Sequence, residues 1–284
     1  MAGIAGGALA AAVTRAGGLG FIGGGYGDVT WIDDQLDLAA DAEVGVGLIT
    51  WMLRDRPGLV ERLVRRGVRW MWLSFGDPAP HIPVIHDAGA VAVCQVQTVA
   101  AARRAVVAGA DVIVAQGQES GGHGRDNSSL AELLPAVVAA VAPVPVLAAG
   151  GITSGVDRQW AIALGAAGVV VGTRLYASDE ALDTDAAKAR LVAATETCRT
   201  SVFDLVRGPA WPVGYSGRAI VNSTVARWHG REDELRADLD TARHHYRQAV
   251  AIDDPDVRVV WAGTGVSRIR EVLPAGDVVR AMNI

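Results

Sequence analysis

Short apolar runs alternate with longer stretches of helical period through the first two-thirds of the chain. The runs fall at residues 19–23, 44–49, 70–75, 91–96, 111–115, 145–149 and 168–171. Their centres are apolar without in–out alternation, as expected of strands covered on both faces. Residues 6–16, 31–42, 57–66, 99–108, 130–141 and 154–164 carry the helical pattern between them. Gly67, Gly109 and Gly165 stand where a helix ends in a left-handed cap. The link through residues 81–87, which contains a proline, is read as having little helix. This alternation predicts a parallel sheet, because parallel strands need a crossover helix between them.

A length of 284 residues suits an α/β fold of the TIM-type (β/α)8 class with an elaboration. Only seven strands can be counted, however. The first helical segment begins almost at residue 1, and a closed barrel wants another strand in front of it. The expectation is a barrel whose first strand is missing or truncated, or an open sheet. Beyond residue 175 the pattern changes: residues 178–206 and 231–250 look helical and charged, 207–222 is rich in Gly, Pro and aromatics, and 267–281 looks like a last helix. We therefore divide the chain into a barrel core, residues 1–177, and a helical extension, residues 178–284, that covers the substrate side and returns to the barrel.

Composition narrows the function classes. Half the residues are hydrophobic, and the formal net charge is −5 with no basic tract, which disfavours nucleic-acid binding. Cys94 and Cys198 lie far apart and outside any metal-ligand spacing, so two reduced thiols and no metal site are expected. The apolar start lacks a basic segment before it, and no stretch reaches the roughly 18–20 apolar residues that span a bilayer. A cytoplasmic protein without a membrane partner is the resulting expectation.

Two glycine-bearing strand ends carry the first chemical signal. Gly150-Gly151 and Val170-Val171-Gly172-Thr173 each follow an apolar strand, one βα unit apart. Loops after the last strands of β/α-barrels commonly bind phosphate. Glycine lets backbone N–H groups approach it, and Thr173 adds a hydroxyl. The second signal is the run from Gln116 to Arg125, with Gly121, Gly122 and His123 at its centre, at the same end of the predicted barrel. Glycines on both sides of His123 let the chain present the imidazole to a cavity, where it can act as base, acid or anion-stabilising cation. Gln95, at the end of its strand, offers a donor and an acceptor together. His244-His245 are adjacent on a helix and do not share a face, and His81 and His86 flank the link. Gly18-Leu19-Gly20 precedes a strand, whereas a dinucleotide fingerprint follows one, so it is rejected as such.

These motifs resemble the nitronate monooxygenase family, formerly called 2-nitropropane dioxygenases, over almost the whole chain. The likeness runs from Met1-Ala2-Gly3-Ile4 and Ala16–Ile22 through Ala115-Gln116-Gly117 and Gly121-Gly122-His123 to Ala148–Ile152 and Gly172-Thr173, with further likeness around Arg218–Asn222 and Trp261–Gly265. The resemblance implies noncovalent FMN and oxidation of alkyl nitronates or nitroalkanes by O2 to carbonyl compounds and nitrite. It implies that Gln116 and Gly121 touch the flavin, with Gln95 at its polar edge. Gly150, Gly151, Val170, Val171, Gly172 and Thr173 would hold its phosphate. His123 would sit by the substrate, as the base toward a neutral nitroalkane or as a stabiliser of a nitronate anion. Two departures stand out. Many members carry an asparagine near the end of the third strand, where this sequence has Gly47; a backbone contact there would replace the amide. Members also have a strand ending in Ala-Pro-Met, and this chain begins at that methionine, as if it started one strand late through a misplaced start codon or a truncation. A homodimer is a candidate assembly. The same fold also serves NAD(P)H-dependent flavin reductases of the enoyl-[acyl-carrier-protein] and quinone types, and a non-catalytic FMN- or phosphosugar-binding barrel is a third class.

Overall fold

The computed structural model describes residues 2–125 and 128–283; Met1, where the family likeness starts, lies outside them. Seven parallel strands form one sheet in the order β1-β2-β3-β4-β5-β7-β8. They are β1 (Phe21–Gly25), β2 (Gly45–Ile49), β3 (Trp70–Ser74), β4 (Val91–Val96), β5 (Val112–Gln116), β7 (Val146–Ala149) and β8 (Gly168–Val170). All seven expected strands are found, each within two residues of its expected bounds. Helices α1 (Gly7–Arg15), α2 (Val29–Ala39), α3 (Leu59–Arg65), α4 (Ile82–Asp87), α5 (Val99–Val107), α6 (Leu130–Val141) and α7 (Gly155–Ala163) alternate with them, and α8 (Thr173–Tyr176) follows β8.

The two faces of the sheet carry different side chains. Val46, Leu48, Met71, Leu73, Ala92, Ile113, Ala115 and Ala148 point toward the helices and build the main core. Trp72, Val93, Val114 and Ala149 point to the other, concave face, where Phe21, Trp70 and Val170 join them. Phe21 meets Trp72 edge-on at 5.2 Å between centroids. Their rings fit because β2 is glycine at Gly45, where a Cβ would overlap Phe21. The sheet is a curled, open form of the TIM barrel, with β1 and β8 as its edges. Gly23 N–H on β1 donates to Ala5 O at 2.8 Å, so the chain ahead of α1 covers part of that edge.

Three expectations need correction. Residues 81–87 are not a bare link: α4 forms there with its proline in the first turn, where the missing N–H leaves no helical bond unmade. Ile82 and Ile85 are buried and anchor it. Residues 178–206, expected to be helical, hold α9 (Asp185–Val192), then β9 (Thr197–Thr200), then α10 (Val202–Arg207). The Gly/Pro/aromatic stretch contains β10 (Ser216–Ile220), and the last helix, α14 (Ala275–Met282), starts well after residue 267. Between them lie α11 (Ser223–Trp228), α12 (Glu232–Ala237) and α13 (Leu239–Ala251). A short strand in the loop after β5, β6 (Gly122–Gly124), pairs with β10, and β9 pairs with the other side of β10, giving an antiparallel sheet in the order β6-β10-β9. Strands this short are fixed by their partners rather than by their own period. Among the described residues no helix is long and apolar enough to cross a membrane.

Gly20 sets how closely α1 lies on the sheet. A Cβ there would overlap the backbone of Ala10. Gly20→Ala must push α1 off β1, and overpacking of this kind costs about 1–3 kcal/mol. Thermal unfolding of the variant should begin roughly 3–10 °C below the parent; an unchanged midpoint would show that α1 does not pack as described.

Candidate active site

The carboxyl ends of the parallel strands carry a hydrogen-bonded group of amides. Gln116 ends β5, and its Oε1 accepts from Gln95 Nε2 at 2.9 Å and from Gln97 Nε2 at 2.7 Å. Its own Nε2 donates to the carbonyl of His123 at 3.0 Å. Gln116 therefore ties two strand ends to the loop that bears the histidine. The carboxylate of Glu119 accepts from Leu130 N–H, the first residue of α6, at 3.0 Å, and this joins the loop to that helix. Two arginines of the antiparallel sheet hold the same loop by its carbonyls: Arg199 and Arg218 each donate to Gln118 O at 3.0 Å. Register then puts Gly217 of β10 opposite His123.

His123 is buried between aromatic rings. Trp211 stacks on it with centroids 3.5 Å apart and planes 4° from parallel, and Trp261 tilts against it at 5.1 Å. His123 Nε2 lies 2.8 Å from Asp204 Oδ1 on α10, and both side chains are largely shielded from solvent. Burial lowers the imidazole below its ordinary value of 6.5; the hydrogen bond and charge of Asp204 oppose this, while Arg207 and Arg199 reinforce it. A neutral imidazole that gives its Nε2 proton to a carboxylate keeps its lone pair on Nδ1. Asp204 Oδ2 is buried with no partner among the described residues. Trp211 Nε1–H donates to Tyr26 Oη at 3.2 Å, which joins the segment after α10 to the loop after β1.

The two glycine loops lie side by side, because Ala149 pairs with Val170 at the last register position. Gly150 and Gly151 take φ of +120° and +72°, a region that side chains rarely enter. A Cβ at Gly172 would meet nothing within 4 Å. The N–H groups of Gly151, Gly172 and Thr173 have no acceptor among the described residues. Thr173 Oγ1 accepts from Gly263 N–H at 2.9 Å, so its own hydrogen is left to donate. Arg268 donates to Gly151 O at 2.5 Å and pairs with Asp157 at 2.9 Å, which fixes this loop from outside.

The expected site residues thus fall into connected groups. Gln95, Gln116 and the His123 loop are hydrogen-bonded together, and the chain at 262–264 links Gly121, Glu119 and Thr173. A Cβ at Gly121 would lie 2.6 Å from Ala262 C, so close chain packing explains that glycine. Val170 faces the concave side, and Val171 packs into the helix-side core, which leaves only its backbone for a ligand. Gly47 lies opposite Trp72 on β2, outside these groups. Asp204, Trp211 and Arg199 were not picked out from the sequence, and Trp261 stood only at the start of a stretch of family likeness. For Trp211 the aromatic content of residues 207–222 was the available signal, and it gave no location.

A profile of the nitronate monooxygenase family matches residues 38–283. The chain belongs to the nitronate monooxygenase family. It is accordingly an oxidoreductase. It is 31% identical to a nitronate monooxygenase of Neurospora crassa, over 98% of this chain and 85% of that one. Among solved structures it is similar to FabK from Thermotoga maritima, with a TM-score of 0.84 and 27% identity over 99% of this chain and 89% of that one. It is also similar to a nitroalkane oxidase from Streptomyces ansochromogenes, with a TM-score of 0.80 and 26% identity, covering 99% of this chain and 92% of that one.

The sign of the His123 shift sets a pH dependence. Because the folded state holds the imidazole below 6.5, the unfolded chain takes up more protons near and below that pH, and this group's contribution to stability falls on acidification. Asp204→Asn removes the main influence that opposes the shift. Proton NMR of the His123 ring should show titration at still lower pH in the variant. An unmoved or raised midpoint would show that Asp204 does not pair with this imidazole.

Proposed function

We propose that this chain binds FMN and uses O2 to oxidise nitroalkanes and their nitronates to carbonyl compounds and nitrite. The observation that carries the reading is the neutral His123–Asp204 pair at the end of the barrel where the amides of Gly151, Gly172 and Thr173 await an acceptor. Those amides, with the Thr173 hydroxyl, suit a phosphate monoester in chemistry and in the glycine conformations that expose them. Gln95 Nε2 gives one hydrogen to Gln116, so the Gln95 carbonyl oxygen and the second Nε2 hydrogens of Gln95 and Gln116 remain for the polar edge of a ring. When bound, FMN supplies the electron acceptor for the oxidation.

The rest is the work of this chain's own groups. A His123 kept neutral by burial favours the base over the cation: its Nδ1 lone pair takes the proton from the carbon next to a nitro group, and Asp204 steadies the imidazolium that results. Trp211 covers one ring face and Trp261 packs at an angle beside the ring, which keeps water away and leaves proton transfer to the ring edge. The similarity to nitronate monooxygenases and to a nitroalkane oxidase supports this substrate class.

The visible spectrum of the purified chain, before and after incubation with FMN, tests the cofactor, and oxygen uptake with propyl nitronate tests the reaction. His123→Ala should lower kcat/KM for a neutral nitroalkane by roughly 10²–10⁴, while a preformed nitronate, which needs no base, should lose about tenfold at most. Equal losses for both substrates would remove the base assignment. Rapid flavin bleaching by NADH under anaerobic conditions, without nitronate turnover, would replace the reading by a flavin reductase.

A further inference from the structure

A second cavity, away from the glycine loops, lies between α10 and α13. It is a groove open to solvent, with a volume of about 530 Å³, a size that suits a small organic ligand. Arg207, Arg243, Arg247 and Arg258 line it together with Tyr246 and Val259, and no acidic residue does. Elsewhere in this chain of net charge −5, arginines such as Arg62, Arg66, Arg190 and Arg268 each meet a carboxylate.

Of the four, only Arg258 is neutralised among the described residues, by Asp183 at 2.5 Å and by Asp253. Arg243 donates to Leu205 O at 3.0 Å, a neutral acceptor. Arg207 lies over the ring of Trp261 at 5.7 Å. Arg247 has no hydrogen bond or ion pair among the described residues. Arg243 and Arg247 are one helical turn apart on α13, so they stand on one face. Three like charges without a counter-charge repel one another, and an anion placed among them removes that repulsion. Tyr246 adds a donor: its hydroxyl accepts from Val259 N–H at 3.1 Å and keeps its own hydrogen. Burial raises that phenol, so it stays protonated.

We propose that this cavity binds a phosphate-bearing organic ligand, with Arg207, Arg243 and Arg247 on the phosphate and Tyr246 and Val259 against the rest of the molecule. A carboxylate needs one guanidinium, whereas a phosphate monoester or diphosphate offers enough charge and oxygens for three. The volume exceeds what inorganic phosphate alone would fill. No lining residue belongs to the glycine loops, so this site is separate from the one assigned to FMN. Trp261 touches both regions, 5.7 Å from Arg207 and 5.1 Å from the His123 ring. The proposal does not rest on the flavin reading.

Isothermal titration of the full chain, preincubated with excess FMN, provides the test, with ADP, inorganic phosphate and adenosine as separate probes. ADP should bind at one site, and adenosine should give no binding heat. The double variant Arg243→Ala/Arg247→Ala should weaken ADP by about tenfold or more while leaving the thermal midpoint and any flavin absorbance unchanged. Inorganic phosphate binding as tightly as ADP would overturn the organic part of the proposal and leave a site for the free anion. No heat from ADP or phosphate at millimolar concentration, adenosine binding as tightly as ADP, or an affinity in the double variant within twofold of the parent would overturn the proposal.

Discussion

The pairing of β6 with β10 is the constraint on which the site depends. The loop after β5 carries His123, and a loop of that glycine content has no fixed shape by itself. Register with β10 puts Gly217 opposite His123 and Gly124 opposite Ser216. This brings α10, with Asp204, and the segment bearing Trp211 to the imidazole. Closing so long a loop between β6 and β10 has an entropic cost that grows only slowly with length. The ladder does not carry that cost alone. Arg199 and Arg218 bind the same carbonyl of Gln118 from neighbouring strands, and Gln116 binds the carbonyl of His123 from the barrel side. The loop is gripped by its backbone from two directions, so its side chain can be held in a defined place.

That arrangement explains which parts of the molecule could be read from the sequence. The parallel strands and their helices are dictated by local period, and each expected strand falls within two residues of its place. The glycine loops were legible for the same reason, because they sit directly after strands whose ends are clear. The stretch of α4 was expected to hold little helix, whereas its proline occupies the first turn and the helix forms. The strands β6, β9 and β10 have three to five residues each, too few to show a period, and they exist through pairing between distant segments. Asp204 was illegible for a related reason. In sequence it is an acidic residue in a charged stretch that reads as a solvated helix, and only the long-range ladder turns it toward His123.

Gly121 shows how one glycine can have more than one reason to be there. The family likeness implies a contact with the cofactor. The structure supplies a packing reason independent of any ligand, since the backbone at Ala262 and Gly263 passes where a Cβ would be. The same passage of chain presents Gly263 N–H to Thr173 and Thr264 N–H to Glu119 O. One extended segment therefore sets the distance between the histidine loop and the strand end after β8. A side chain at Gly121 would disturb both sides at once, whichever ligand they hold.

Electrostatics around His123 follow from where the charges can and cannot go. Arg199 and Arg207 both push the imidazole toward its neutral form, in the same direction as burial, and Asp204 is the opposing influence. Asp204 itself keeps one oxygen without a partner among the described residues, an expense that a merely structural helix would avoid. A carboxylate in that state gains most when the ring beside it becomes charged, because the pair then forms in a region shielded from solvent. Under the proposed function, the pair is set to stabilise a proton that arrives during the reaction rather than one held at rest. Arg207 cannot cancel this by pairing with the carboxylate, since its guanidinium lies over Trp261 and faces the arginine-lined cavity instead. The indole therefore stands between two regions: the buried His123–Asp204 pair and a groove lined by arginines.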